Sequence, residues 1–319
     1  MTLQAEPRTD ELAPAVRDAI NQIRISADKS TAVVGGREVT ADFPRELRRL
    51  LAESLYNILH SGQPDGQVPS RLRDDVLEQQ FIAQVPHRRI EVPAVARSAV
   101  QRDPSGRKRL LVEREGLRIW VPLEVVTTSG VAPGEPVRLA LPPWRAGLSP
   151  GFFLVDGTRR RDTSRGVQRV YLHFSDTEHA VPAWGRVLTF LEEREAPYRA
   201  KVLSARELYP RRDSIVVYLT GGHDDLVRDL AELVQDLPGL GDETSVFVDR
   251  IAPGVGAAWE PVDPKSGRQG LSFGQHRATV LAAALVEAGE DLDSRIPLVV
   301  TRFREAGIDP LNPARNLPA

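Results

Sequence analysis

The run "VQRVYLHFS" (residues 167–175) decides how the C-terminal half is built. In a strand, alternate side chains point to opposite faces. Val170, Leu172 and Phe174 then share one face, and Arg169, Tyr171, His173 and Ser175 share the other. The first set suits a core. The second is either solvated or lines a cleft. Working outward, "AWGRVLTFLEERE" (183–195) has helical spacing, and "YRAKVLS" (198–204) and "SIVVYLT" (214–220) are further strands. "HDDLVRDLAELVQDL" (223–237) is a helix with Leu226, Leu230, Leu233 and Leu237 in register, and "TSVFVDR" (244–250) reads as a strand. After a loop come the long apolar helix "FGQHRATVLAAALVEAG" (273–289) and "LDSRIPLVVTRFREAG" (292–307). Strands adjacent in sequence, with helices between some of them, predict an α+β fold: a mixed sheet flanked by helices, rather than a doubly wound one.

The N-terminal part is expected to be smaller, of helices and β-hairpins. "DELAPAVRDAINQIRI" places Leu12, Val16, Ile20 and Ile23 on one helical face. "PRELRRLLAESLYNILHSG" does the same with Leu47, Leu51, Leu55 and Ile58 and stops at Gly62, as a helix C-terminus should. "TAVVGGREVT" and "RLLVEREGLRIWVPLEVV" read as hairpins. "SRLRDDVLEQQFIAQV" is a third helix, while "PVRLALPP" and "GFFLVDG" continue the β pattern. The connector "GTRRRDTSRG" (157–166) is charged and has no apolar residue. It is expected as a solvated boundary between a region 1–156, suited to peptide recognition, and a domain 167–319.

The chain has 319 residues and a net charge of -2, so no global basic field draws nucleic acid. No apolar run is long enough for a membrane span, and "MTLQAEPRTDELAP" lacks the apolar segment of a signal peptide. A soluble, cytoplasmic protein is expected. The absence of cysteine excludes disulfides, thiolate nucleophiles and thiolate metal sites. Only four of the 42 basic residues are lysines: Lys29, Lys108, Lys201 and Lys265. Three sit among polar neighbours, but Lys201 sits in a strand, sharing a face with Arg199 and Leu203. Arginine cannot shed its proton in a protein, whereas lysine can, so Lys201 is a candidate base. His173 faces the polar side of the first strand. Arg211 and Arg212 stand at the mouth of another. Ser272 and Gln275 form a capping-box pattern, which puts Arg277 in a helix's first turns, where anions bind. His60, His87 and His179 have no ligand spacing that points to a metal. His223 reads as a helix start, His276 as a second possible acid, and Glu260 either as structural or as orienting an active-site arginine.

The ordered set "YLHFSD … PYRAKVL … YPRRDSIVVYL … GVGAAWEP … SFGQHR" resembles the Hop-A-type effector domain of bacterial type III secretion, itself similar to the phosphothreonine lyases. The resemblance spans about residues 145–290, from "LSPGFFLVDG", and extends weakly to "LAESLYNILHSG". Stand-alone homologues occur in class V lanthipeptide and thioamitide pathways beside a kinase-like protein. The resemblance implies β-elimination of phosphate from phosphoserine or phosphothreonine, without metal or organic cofactor, to give dehydroalanine or dehydrobutyrine. It implies Lys201 as base, His173 as acid, and Arg212, Arg277 and Arg268 as phosphate ligands. The effector lyases carry a second lysine two residues before the histidine. Here that position is Tyr171, a possible donor to the developing enolate. The implied partners are a phosphorylated precursor peptide and a separate kinase-like protein. A non-catalytic peptide- or kinase-binding module is the competing reading.

Overall fold

A computed structural model describes residues 12–63, 71–263, 265 and 267–318. The α+β fold holds, with three sheets, all of whose ladders are antiparallel. The chain opens with α1 (Pro14–Asn21), then a small sheet of β1 (Arg24–Ile25), β2 (Thr31–Val34) and β3 (Arg37–Thr40). The expected Gly-Gly hairpin is the β2–β3 turn, where Gly35 and Gly36 both have positive φ. Helix α2 (Pro44–Leu55) runs on into a π-helical turn, Tyr56–Ser61, which ends at Gly62 with φ 77°. Helix α3 spans Asp75–Gln84, with the Asp74 side chain capping it.

Strands β4 (Ile90–Ala96), β5 (Gln101–Arg102), β6 (Lys108–Arg114), β7 (Leu117–Pro122) and β8 (Pro136–Leu141) form a second sheet. This sheet has a core of its own around Val92, Leu110, Val112 and Leu139. The third sheet has seven strands. It begins with β9 (Trp144–Ser149) and β10 (Phe152–Asp156), continues through β11 (Val167–Phe174), α4 (Thr177–Glu193), β12 (Tyr198–Leu203), β13 (Arg211–Thr220) and α5 (Asp224–Gln235), and closes with β14 (Asp249–Ala252) and β15 (Val255–Trp259). Its spatial order is β14-β15-β11-β13-β12-β10-β9. Helices α6 (Phe273–Ala288) and α7 (Leu292–Glu305) follow. No helix among the described residues is long and apolar enough to cross a membrane.

Two differences from the expected layout have physical causes. The charged connector lies inside the large sheet's connectivity, because β10 ahead of it pairs with β12 from Phe152↔Leu203 to Asp156↔Arg199. Residues 244–248 of "TSVFVDR" are irregular, with a turn and bend over 246–248, instead of a strand. Phe247 is buried in the core there, and the Val246 amide donates to the Leu59 carbonyl, across the chain instead of along a ladder. The strand begins at Asp249 and pairs with β15.

The seven-stranded sheet is sandwiched. Val170, Leu172, Phe174, Ala200, Val202, Ile215 and Val217 pack one face against α3, α4 and α5 through Phe81, Trp184, Leu188 and Leu230. On the other face, Tyr171, Val216 and Ala258 join the core built by α1, α2, α6 and α7. Leu47, Leu51 and Leu55 of α2 are fully buried in that core, each contributing about 1.5–3 kcal/mol. The helices cover only part of this face. The rest, around Lys201 and Arg169, opens into a cavity.

Candidate functional site

Cross-strand register builds the cavity floor. Leu154, Lys201, Val216, Tyr171 and Gly256 lie opposite one another across β10, β12, β13, β11 and β15. The next row is Asp156, Arg199, Tyr218, Arg169 and Ala258. Opposed residues share a face. The alternation read from the sequence therefore carries Arg169, Tyr171 and Lys201 to one side.

The cavity encloses about 520 Å3, and four cations line it: Lys201, Arg169, Arg211 and Arg268. Each arginine has a carboxylate partner. Arg169 makes a two-pronged pair with Glu260, one prong at 2.6 Å. Arg211 forks onto Asp213 at 2.7 and 2.8 Å and also donates to the Tyr56 hydroxyl at 2.8 Å. Arg268 reaches Asp263 at 3.1 Å. Such forks fix guanidinium planes as a point charge cannot. Lys201 differs. Among the described residues it forms no hydrogen bond or ion pair, and its Nζ sits 3.9 Å from the Phe152 ring centroid and 5.9 Å from that of Tyr218. The Arg211 guanidinium shares the Phe152 ring at 5.7 Å, and Arg169 stacks over Tyr218 at 5.0 Å. Two aromatic rings thus hold the cations close without neutralising them.

The titrating groups around the cavity are settled by their neighbours. Burial raises the Asp213 carboxyl, but Arg211 overrides it and leaves it at about 2. Burial and then Asp213 push the Tyr56 phenol up to about 12. The Tyr171 hydroxyl is buried and also raised, chiefly by burial; it lies beside the Arg169 guanidinium without meeting hydrogen-bond geometry. His60 is packed between Tyr56, Tyr171 and Phe273, with Nδ1 2.9 Å from Ser245 Oγ, and burial pushes it down to about 4. The fit is tight: a Cβ on Gly274 would lie 2.2 Å from its ring.

Of the expected site residues, the fold brings Lys201 and Arg268 into the cavity and sets Tyr171 beneath its wall. It does not bring His173, Arg212 or Arg277 there. His173 faces the 241–243 loop: a Cβ on Gly241 would lie 2.6 Å from its ring, and burial pushes its basicity down. Arg212 pairs with Glu243 at 2.8 Å and caps the π-helical turn through the Ile58 carbonyl at 3.0 Å. A β-irregularity explains why Arg211 takes the cavity instead. Register breaks between Leu172↔Ile215 and Phe174↔Arg211, and alternation does not survive such a break.

Arg277 is fully buried and holds the C-terminal tail. It donates to the Pro313 carbonyl at 2.9 Å, the Arg315 carbonyl at 3.3 Å and Asn316 Oδ1 at 3.1 Å. Its Nη1 also donates to His276 Nδ1 at 2.9 Å; arginine has no acceptor, so the imidazole proton is on Nε2, 3.1 Å from Asp263. Burial, with Arg277 beside it, pushes His276 down to about 4. A relay of hydrogen bonds therefore runs from Arg268 through Asp263, His276 and Arg277 to the tail. The capping box at Ser272 and Gln275 forms as expected and starts the helix that presents it. The connector is not all solvated: Arg161 is half-buried beside Arg199, Arg145 and Asp156.

Sequence reasoning placed Arg169 on a polar strand face and Arg211 at a strand mouth without assigning either a site role, and it missed Tyr56, Tyr218 and Asp213. Glu260 was legible only as one of two alternatives, and it orients Arg169.

Nothing among curated proteins matches the chain. Two solved structures are similar, both of effector proteins: one from Pseudomonas syringae pv. tomato strain DC3000 at 18% identity and a TM-score of 0.43, the other from Pseudomonas syringae pv. syringae strain 61 at 17% and 0.41. In each case the match covers 52% of this chain and 63% of the other, so this chain spans less than two thirds of their length. A model of the HopA1 effector protein family matches residues 144–315. That span begins at β9, the edge of the large sheet, and ends with the tail that Arg277 secures. The expected resemblance stopped near residue 290, short of that tail. The large sheet, the tail and the cavity lining apart from Tyr56 fall within one matched unit covering more than half of the sequence, and the chain belongs to the HopA1 effector protein family.

Proposed function

We propose that the protein is a phosphoserine/phosphothreonine lyase that eliminates phosphate from a kinase-modified precursor peptide, leaving dehydroalanine or dehydrobutyrine. One observation carries this reading: of the four cations lining the cavity, only Lys201 lacks an anionic partner among the described residues. In the proposed step the Lys201 amine takes the Cα proton. The electron pair left behind forms the Cα=Cβ bond, the Cβ–O bond breaks, and the phosphate leaves with that bond's electrons. Arg169, Arg211 and Arg268 offset the charge on the departing oxyanion, the role for which guanidinium forks suit best. His173, the acid implied by the family resemblance, is not among the residues lining this cavity. A phosphate monoester has its second pKa near 6, so the form that reacts is the singly protonated ester, which keeps its own proton and leaves as hydrogen phosphate, its oxygens oriented by the guanidinium forks.

A positioned base contributes about 10²–10⁴-fold. Lys201→Ala is therefore expected to slow loss of phosphoric acid from a phosphothreonine peptide, followed by mass spectrometry, by that factor. Elimination by Lys201→Ala at the native rate refutes the assignment. The position of His173 favours a second reading, a non-catalytic module that holds a peptide or tethers the kinase. Tight phosphopeptide binding without elimination, unchanged by substitutions at Lys201 and His173, is the result that would select it.

A further inference from the structure

We propose that the groove between α2 and α6 is the track by which the phosphorylated polypeptide enters the Lys201 cavity, and that it takes an acidic flank of that polypeptide. The identity of the occupant rests on the lyase reading; the shape and charge of the groove do not. The groove encloses about 620 Å3, and Tyr56, Leu271 and Gln275 line both it and the cavity, so the two adjoin. Its floor is made of small side chains. Ala52 on α2 and Thr279 and Ala283 on α6 leave the groove between them unfilled by large side chains.

The helices run in opposite directions along it. Tyr56 and Gln275 stand at the cavity end, Arg45 and Ala283 at the far end. Gln275, Thr279 and Ala283 recur every four residues and form one stripe. Eight residues of helix extend about 12 Å. An extended peptide covers that in about four residues. The track thus has a length: about four residues of the flank lie along the groove.

Charge names the flank. Arg45, Arg48 and Arg49 form the rim and are exposed. Arg49 has Glu53 at 3.8 Å, and Arg48 donates to the Pro44 carbonyl. Arg45 and Arg48 have no carboxylate partner among the described residues. Two unneutralised guanidiniums above an apolar floor of small residues fit aspartate or glutamate side chains on a slim backbone, and repel a basic flank.

The test compares three phosphothreonine peptides on the full chain: neutral flanks, a glutamate-rich N-terminal flank and a glutamate-rich C-terminal flank. Elimination kinetics and, in the Lys201→Ala variant, fluorescence anisotropy are both read. One acidic peptide is expected to exceed the neutral one by about fivefold in kcat/KM and in affinity at low salt, the size two exposed charge pairs supply. In Arg45→Glu/Arg48→Glu that ratio should fall below one. Equal values for all three peptides, or an acidic preference that survives the charge reversal, overturns the proposal. If no peptide is eliminated, the lyase reading fails, while the anisotropy ratios still decide the groove. An Ala283→Trp plug that dissolves a dimer in sedimentation, without changing the ratios, would give the groove to a second copy and also overturn it.

Discussion

Replacing Arg277 by glutamine separates two roles that this arginine has been given. The family resemblance implies a phosphate ligand; the fold makes it the clasp of the C-terminal tail. Glutamine is too short to reach the Pro313 and Arg315 carbonyls, and it strips the donor from His276 Nδ1. A buried carbonyl left without a donor costs about 1–3 kcal/mol. Part of this is recovered, because burial, reinforced by Arg169, disfavours the guanidinium charge and lowers its pKa to about 9. A net loss of about 3 kcal/mol follows. Unfolding entropy of about 2.1 cal/mol/K per residue over 319 residues makes each kcal/mol worth about 1.5 °C, so the melting temperature should drop by about 5 °C. The tail should loosen first. Hydrogen exchange at the Trp259 amide, which donates to the Ala314 carbonyl at 2.8 Å, should accelerate. An unchanged melting temperature together with lost phosphopeptide binding would refute this reasoning and restore Arg277 to the phosphate.

Two further outcomes follow from the site. Tyr171→Phe removes a buried hydroxyl that has no hydrogen-bond partner among the described residues, so stability to urea should hold or rise by up to about 1 kcal/mol; a fall in elimination rate in the same variant would reveal a donor role for the phenol, and a large loss of stability would contradict the packing described. Acid should weaken the fold in a defined window. His60 and His276 titrate near 4 when folded, against an ordinary 6.5, so between those values the unfolded chain binds more protons and stability falls as pH is lowered. Asp213, held at about 2 by Arg211 against its burial, contributes its loss only below about pH 4. A urea midpoint that stays flat from pH 6.5 to 4.5 would show that these imidazoles are not buried neutral.

What the sequence disclosed and what it hid divide along physical lines. Strand β11 was legible because both of its faces are marked, apolar at Val170, Leu172 and Phe174 and polar at Arg169 and Tyr171. The helix from Phe273 was legible through its capping box. Strand β15 was not: "VGAAW" is poor in branched residues because the space is tight, and a Cβ on Gly256 would meet Val248 at 2.4 Å. Lys201 was found by its rarity and its strand setting. Arg211 was seen only beside Arg212 at a strand mouth, because the register break that turns it into the cavity leaves no mark in the sequence, and Arg169 only on a polar face, because its partner Glu260 lies 91 residues away. Tyr56 sits in a π-helical turn, where helical spacing no longer states which way a side chain points. Pairings across such separations leave no local pattern.

The union of the first helices with the last has a cost during synthesis. Leu47, Leu51 and Leu55 are made early, but Phe273, Leu281 and Leu285, against which they bury, leave the ribosome more than 200 residues later. At roughly 5–20 residues per second, that leaves a greasy helix waiting for tens of seconds. Its outer side carries the exposed Arg45, Arg48 and Arg49, and like charges of this kind oppose the association of two such helices until the closing helices arrive.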